Sequence, residues 1–188
     1  MGRKGTVSAL TGLFTRARLI GLALAAVIAG VDQWSKYYVT RVLELNRIGD
    51  TLDLLPFFDF TFTRNYGISL GLLEATNMEM RWLLVLLTAG IALVVLVWMM
   101  REKAMGEIIG LAMILGGAIG NIYDRYTIGY VIDFADFHIG EFRPFLIFNV
   151  ADAAITLGVV LILARALFLS EKGGSETSNE DAEKALEN

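Results

Sequence analysis

The chain has 188 residues, of which 55% are hydrophobic and 19% charged, a composition that favours a single-domain integral membrane protein over a soluble one. Because cysteine is absent and His138 is the single histidine, a disulfide framework, a thiol nucleophile and a zinc–histidine cluster are excluded. The net charge of −4 comes from the last 18 residues, with six acidic and two basic groups, and without a broad basic face we expect no nucleic-acid partner.

Four apolar segments predict four transmembrane helices. They lie at 19–31, 82–100, 105–122 and 145–169, and the first continues less purely to residue 39. The second has no charged residue over 19 positions, and at about 1.5 Å per residue it spans about 28 Å, enough to cross the hydrocarbon core. Glycines four residues apart in the third segment, at 106/110 and 116/120, predict close helix packing.

The first segment has a second interpretation as a cleaved signal peptide. Arg16 and Arg18 precede an apolar stretch that ends in small residues, which is the pattern of such peptides. Three later segments already hold the chain in the membrane, and the helical pattern continues beyond any plausible cleavage point. We therefore expect a retained first span.

Basic residues near the span ends predict the orientation in the membrane. They precede the first span, separate the second from the third and follow the fourth: Arg3, Lys4, Arg16, Arg18, Arg101, Lys103 and Lys172. This distribution places both termini in the cytoplasm and the longer loops outside. The predicted division is a cytoplasmic basic N-terminus at 1–17, one membrane domain at 18–170 and a disordered cytoplasmic acidic tail at 171–188.

The two outer loops, at about 44–81 and 126–144, carry β-strand patterns. Phe58, Phe60 and Phe62 alternate with polar residues, a period of two that predicts a strand with one apolar face. A turn follows at 65–71, "LLEATNMEMR" predicts a short amphipathic helix, and "GYVIDFADFHIG" in the second loop predicts another strand. We expect a small extracytoplasmic β-cradle on the outer leaflet.

Polar side chains interrupt the apolar segments at a common predicted depth near the outer ends of the spans. Asp32 lies about 20 Å along the first span, and Asp152 lies about 10 Å below the outer end of the fourth. The other members are Asn121, Asp124 and Arg125 at the outer end of the third span, and Asp133 in the second outer loop. Because a charge inside the hydrocarbon region is costly, the cluster indicates function.

Each member of the cluster also has a structural interpretation. Asp124 and Arg125 can cap the third span, and Asn149 with Asp152, three residues apart on one helix face, can join helices. Two carboxylates at a common depth, surrounded by Asn and Arg donors, instead predict a general acid/base pair. The alternatives are a proton- or ion-coupled transporter, a structural protein that binds a partner, and a metal site with oxygen ligands. The transporter is disfavoured because the charges lie at one face of the membrane only.

The sequence resembles the lipoprotein signal peptidases (signal peptidase II), which are bacterial membrane aspartic peptidases. Four motifs carry the resemblance in the family's order: "DQWSK" at Asp32, "TRNYGISLGLL" around Asn65, "GGAIGNIYDRYTIGYVIDF" at 116–134 and "FNVADAAI" at Phe148. The resemblance implies an α-helical protein of four transmembrane helices in the bacterial cytoplasmic (inner) membrane, with both termini cytoplasmic. It also implies a β-cradle above an active site near the outer leaflet.

The same resemblance implies a function and site residues. The function is removal of signal peptides from diacylglyceryl-modified prolipoproteins, just before the lipidated cysteine, with prolipoproteins and membrane lipid as partners. No metal or organic cofactor is needed, and nothing requires more than a monomer. The implied catalytic residues are Asp133 and Asp152, which would activate a water. The implied substrate-positioning residues are Asn65, Asn121, Arg125 and Asn149, and the implied supporting residues are Asp32, Lys36 and Asp124.

Overall fold

Four long helices and a three-stranded sheet form the described part of the protein. In the computed structural model, the described residues are 15–67 and 78–186, with side chains as far as Phe168. The helices are α1 (Arg16–Tyr37, continued by a π-helical turn at Tyr38–Val42), α2 (Met78–Arg101), α3 (Met105–Thr127) and α4 (Val150–Leu186). The strands are β1 (Thr51–Leu55), β2 (Phe58–Asn65) and β3 (Val131–Phe137).

Each helix contains a segment long and apolar enough to cross a membrane, which confirms the predicted spans. These segments are Arg16–Val42, Met78–Arg101, Met105–Thr127 and Val150–Phe168. The fourth begins later than the predicted residue 145, because Phe148 forms a backbone bridge with Ala135 of β3. Asn149 then caps α4, since its side-chain oxygen accepts the backbone N–H of Asp152 at 2.9 Å.

The helix α3 packs against the other three helices, and glycines allow the closest approaches. A Cβ atom added at Gly116 would lie 2.6 Å from the carbonyl oxygen of Ala25 in α1. One added at Gly158 in α4 would lie 2.6 Å from the carbonyl oxygen of Gly110. The expected close packing of the third span is therefore confirmed, and it brings the polar residues of three helices together.

The three strands form an antiparallel sheet in the order β1-β2-β3. The two predicted strands are present as β2 and β3, whereas β1 was not predicted. Phe58 and Phe60 pack with Phe134 and with Val39 of α1, so the apolar face of the sheet rests on the end of that helix. The register places Asp133 of β3 opposite Thr63 of β2.

Some predictions differ from the structure or lie outside it. The disordered tail predicted at 171–188 stays a prediction, while the helix α4 is drawn as far as Leu186. The predicted N-terminal segment overlaps α1, which begins at Arg16. Residues 1–14 lie outside the described residues, as do most of the predicted turn and of the short helix before Met78.

Candidate functional site

Asp133 and Asp152 meet at a single side chain, that of Asn149. The Asn149 Nδ2 donates a hydrogen bond to Asp133 Oδ1 at 2.6 Å. Its side-chain oxygen accepts the N–H of Asp152 at 2.9 Å, and its own N–H donates to Asp152 Oδ2 at 3.4 Å. This reciprocal arrangement is a capping box at the start of α4, formed by polar residues three positions apart. The first turn of α4 therefore positions one carboxylate and holds the other through the capping residue.

Asp133 is buried, with 2% of its surface exposed. Its Oδ2 accepts a second hydrogen bond from Asn65 Nδ2 at 3.1 Å. Burial raises the pKa of Asp133, and the negative charge of Asp152 raises it further, to about 7, although the two asparagine hydrogen bonds act in the opposite direction. A carboxyl with this pKa exchanges its proton near neutral pH, as a general acid or base must.

Asn121 of α3 holds the other carboxylate. Its Nδ2 donates to Asp152 Oδ1 at 2.8 Å. Its Oδ1 accepts from Asn149 Nδ2 and from Lys36 Nζ, each at 3.2 Å. The amides of Asn121 and Asn149 thus connect the two aspartates to a lysine on α1.

A buried group of charges lies directly behind these amides. Lys36 Nζ is 2.7 Å from Asp32 Oδ2 and 2.8 Å from Asp124 Oδ2. Asp32 Oδ1 accepts the N–H of Ala151 at 3.0 Å, and Asp124 Oδ2 accepts the N–H of Ile132 at 3.2 Å. Three charges buried together are tolerated because each is paired and hydrogen-bonded.

Glycine is required on α3 where this charge group meets the helix. A Cβ atom at Gly120 would lie 2.5 Å from Asp32 Oδ2, closer than any stable contact of this kind. The "GGAIGN" stretch therefore lets the Asp32 carboxylate approach the backbone of α3 beside Asn121.

Arg125 lies near the aspartates without a direct hydrogen bond to them among the described contacts. Its Nη2 donates to the carbonyl oxygen of Gly67 at 2.6 Å, and it interacts electrostatically with Asp152 and Asp133. Its Nε is buried and finds no hydrogen-bond partner within the part of the chain that the structure describes. The carbonyl of Arg125 accepts from Arg81 Nε at 2.7 Å, which fixes the end of α3 to the start of α2.

All the predicted site residues lie in the described part of the chain, and hydrogen bonds or ion pairs join eight of them into one network. The eight are Asn65, Asp133, Asn149, Asp152, Asn121, Lys36, Asp32 and Asp124. Two residues that contact this site were not predicted. Gln33 donates to Asp32 and Asp124, and Arg81 caps α3. Gln33 could have been noticed as a polar residue inside a span, whereas Arg81 gave no signal.

A second polar region lies on the sheet, away from this network. A cavity of about 460 Å³ at the β1–β2 turn is lined by Asp53, Asp59 and His138, with Leu54, Leu55 and Pro56. His138 Nε2 is 2.9 Å from Asp59 Oδ2. None of the predicted site residues lines this cavity, so it is separate from the site around Asp133.

Comparison with known proteins gives one family. The family model described as "Signal peptidase (SPase) II" matches residues 24–168. The lipoprotein signal peptidase of Sphingopyxis alaskensis is 53% identical over 154 residues, which cover 82% of this chain and 88% of the relative. That of Rhizorhabdus wittichii is 47% identical over 154 residues, covering 82% of this chain and 89% of its own.

Solved structures agree with these sequence relationships. A structure described as a bacterial membrane enzyme superposes with a TM-score of 0.71 and 27% identity, covering 81% of this chain and 90% of its own. A second structure with the same description gives a TM-score of 0.66 at 29% identity, covering 79% and 92%. The helices and the sheet described above are therefore similar to those of known membrane enzymes.

Proposed function

The chain belongs to the signal peptidase II family of bacterial membrane proteases, and from this premise we propose that Asp133 and Asp152 are its catalytic pair. The observation that carries the proposal is the side chain of Asn149, which hydrogen-bonds to Asp133 and to Asp152. Two acidic groups held beside one another by the amides of asparagine suit a shared proton, because the negative charge of each disfavours ionisation of the other.

In the proposed mechanism, one carboxyl carries a proton while the other is charged. Asp133, whose pKa is raised to about 7 by burial and by the charge of Asp152, holds the proton and donates it to the scissile carbonyl oxygen. Asp152 takes a proton from the attacking water. This division of roles uses the two carboxyls as general acid and general base in one step.

Arg125 supplies a donor for the substrate in this proposal. Its Nε is buried and lacks a hydrogen-bond partner within the described residues, although its Nη2 is held by Gly67. Because an unsatisfied buried donor is costly, a bound peptide carbonyl is the group expected to pair with it. In this proposal the side chains of Asn65, Asn121 and Asn149 hold the two carboxylates in position for the substrate.

The proposed substrate is a diacylglyceryl-modified prolipoprotein, cleaved just before the lipidated cysteine. Such a substrate is anchored by its signal helix and its acyl chains, so it reaches the site by lateral movement within the bilayer. The site lies at matching ends of three spans, since Asp32 and Lys36 are in the last turns of α1, Asn121 is near the end of α3 and Asp152 is in the first turn of α4.

We place this end of the bundle at the outer leaflet, with both termini in the cytoplasm. Basic residues cluster at the opposite end of the spans, which is the pattern of cytoplasmic loops. Exposed aromatic side chains surround the proposed outer end, as expected at a membrane interface: Trp34, Tyr37, Trp82 and Tyr123. One chain provides every proposed site residue, so a monomer suffices.

The test is cleavage of a lipid-modified prolipoprotein by the purified protein in detergent, followed by release of the signal peptide. Asp133→Asn and Asp152→Asn are each expected to lower kcat at least about 1,000-fold while the protein remains folded. The matched control is Asp59→Asn, a buried aspartate of the same sheet outside the network, which is expected to keep wild-type activity. Full activity in Asp133→Asn or in Asp152→Asn would refute the assignment of these aspartates as the catalytic pair.

Two further arms test the substrate class and the absence of a metal requirement. Unlipidated precursor should be cut far more slowly than the lipidated form, and equal rates would contradict the proposed substrate. Addition of EDTA should leave the rate unchanged, since the hydrogen-bond partners of Asp133 and Asp152 are N–H donors and a cation requires oxygen ligands.

A further inference from the structure

One ammonium group lies at the centre of the buried network. Lys36 Nζ contacts Asp32 Oδ2, Asp124 Oδ2 and Asn121 Oδ1, at 2.7, 2.8 and 3.2 Å. An ammonium has three N–H donors, so each donor has one acceptor. The side chain of Lys36 is 2% exposed, so its N–H groups depend on these protein partners.

Each of the three acceptors is also bonded to a catalytic aspartate or to the residue before one. Asn121 Nδ2 donates to the carboxylate of Asp152 at 2.8 Å. Asp32 accepts the N–H of Ala151, which precedes Asp152 in the first turn of α4. Asp124 accepts the N–H of Ile132, which precedes Asp133 in β3. The positions of both aspartates therefore depend on groups that Lys36 binds.

The contact with Asn121 has a directional effect that the two ion pairs lack. A carboxamide accepts at one end and donates at the other, so the partner of its oxygen decides where its NH₂ points. Lys36 and Asn149 both donate to the oxygen of Asn121, which turns the NH₂ toward Asp152. Lys36 supplies one of the two hydrogen bonds that hold this orientation, so loss of the ammonium weakens the preference of the amide for presenting its NH₂ to the Asp152 carboxylate.

We propose that Lys36 is a positioning residue of the reaction, which orients the amide of Asn121 toward Asp152 and fixes the backbone beside both aspartates. This inference rests on the proposed function of Asp133 and Asp152 as the catalytic pair. It goes beyond structural support, because it predicts a loss of turnover in protein that is folded and binds substrate.

Substitution of Gln33 is the control that distinguishes an effect on the position of Asn121 from an effect on stability. Its Nε2 donates to Asp32 Oδ2 at 3.2 Å, to Asp124 Oδ1 at 2.8 Å and to the carbonyl of Gly120 at 3.2 Å. It therefore contacts the same two carboxylates as Lys36. Among the described contacts, however, it does not bond to Asn121, so substitution of Gln33 is expected to leave the orientation of that amide unchanged.

The experiment compares Lys36→Met with Gln33→Met in the full chain, measuring kcat and KM on a lipid-modified prolipoprotein beside thermal unfolding. Lys36→Met is expected to lower kcat about 100-fold with KM within about threefold of wild type, because misplaced catalytic groups affect turnover more than binding. Gln33→Met is expected to lower the unfolding temperature while kcat stays within about threefold.

A second comparison covers the case in which Lys36→Met does not fold. The double variant Asp32→Asn/Lys36→Gln removes opposite charges together, so no new net charge is buried. It is expected to have a much lower kcat than Asp32→Asn alone, because only the single variant keeps the ammonium beside Asn121. A small difference between these two would count against the proposal.

The outcomes separate this inference from the proposed function. Wild-type kcat in a folded Lys36 variant, or equal kcat losses in Lys36→Met and Gln33→Met, would overturn the role of Lys36. Failure of both Lys36 variants to fold would assign the residue to folding and overturn it as well. Asp152→Asn is assayed in parallel: activity there rejects the catalytic pair itself, whereas its inactivity beside an active Lys36→Met rejects only the positioning role.

Discussion

The two ends of β3 each carry a buried aspartate, and their surroundings differ in one respect. Asp136 is 0% exposed, and both of its oxygens accept from Arg143 Nε at 3.1 Å. Asp133, three residues earlier, is 2% exposed and accepts from the amides of Asn65 and Asn149. Among the described residues, a cation pairs with Asp136 and none forms an ion pair with Asp133.

The difference shows that burial alone does not make a carboxyl suitable for acid/base chemistry. The guanidinium of Arg143 gives the carboxylate of Asp136 a full positive charge as its partner. Amide donors satisfy the oxygens of Asp133 without a full positive charge, and burial with the charge of Asp152 raises its pKa to about 7. Asp136 is therefore an ion-paired carboxylate near the C-terminal end of β3, and Asp133, nearer the N-terminal end, is the proposed catalytic one.

The largest expected loss of activity in this comparison is at Asn149, whose side chain hydrogen-bonds to both aspartates. Asn149→Ala removes the donor to Asp133 Oδ1 and the acceptor for the N–H of Asp152, and we expect kcat to fall about 1,000-fold. The matched substitution at the other end of β3 is Thr61→Val, which removes a donor to Asp136 at 3.2 Å. Equal kcat values for the two variants, measured on folded protein, would remove the distinction between the two ends.

The next effect concerns stability and pH. The pKa of Asp133 is about 7 in the folded protein against an ordinary value of 3.8, so the native state binds the proton more tightly than the unfolded chain. The stability that this provides is complete below the ordinary pKa and is lost as the pH rises through about 7. We expect the free energy of unfolding to be about 2–3 kcal/mol lower at pH 8 than at pH 5 from this group.

Denaturant unfolding of two variants isolates that contribution. In Asp133→Asn, the free energy of unfolding should no longer differ between pH 5 and pH 8. This variant should also be more stable than wild type at pH 8. Asp136→Asn, at the other end of the strand, should keep the pH difference of the wild type. If the free energy of unfolding of Asp133→Asn still differs between pH 5 and pH 8 as in wild type, another group is responsible for the pH dependence.

The smallest expected effect on activity is that of the ion pair between Asp136 of β3 and Arg143. Arg143→Gln leaves the buried carboxylate of Asp136 without its cation, and we expect the free energy of unfolding to fall by about 1–3 kcal/mol. Because Arg143 has no contact with the Asp133–Asp152 network among the described residues, kcat should be unchanged in folded protein. A loss of turnover larger than the loss of folded protein would show that the two ends are coupled.

The sequence predicted the larger elements of the fold correctly, for physical reasons that act locally. The spans follow from the length of an apolar helix needed to cross a bilayer, and the strand at 58–65 follows from the alternation of phenylalanines with polar residues. The start of α4 was placed too early, because Phe145 and Phe148 continue the apolar pattern. The bridge between Phe148 and Ala135, which keeps this segment extended, is a contact between distant residues and leaves no periodicity in the sequence.

The candidate site was predicted as a set of residues, and its internal contacts were not. The helical rise places Asp32, Asn121 and Asp152 at one level, so their convergence could be expected. The hydrogen bond from Asn65 to Asp133 joins residues 68 positions apart, and the ion pair of Lys36 with Asp124 joins α1 to α3. No spacing rule predicts such pairs, since they depend on how the helices rotate and pack.

The sequence by itself therefore determined which segments form the apolar helices and the strands, and at what height along each helix the polar residues lie, because hydropathy, helical rise and strand alternation are local properties. Only the tertiary structure decided which of these carboxylates pair with a cation and which accept hydrogen bonds from neutral amides. Asp32 and Asp124 share the ammonium of Lys36, and Asp136 has the guanidinium of Arg143. Asp133 and Asp152 receive asparagines, and because the proton affinity of an acid depends on its neighbours in space, this assignment distinguishes the proposed catalytic pair.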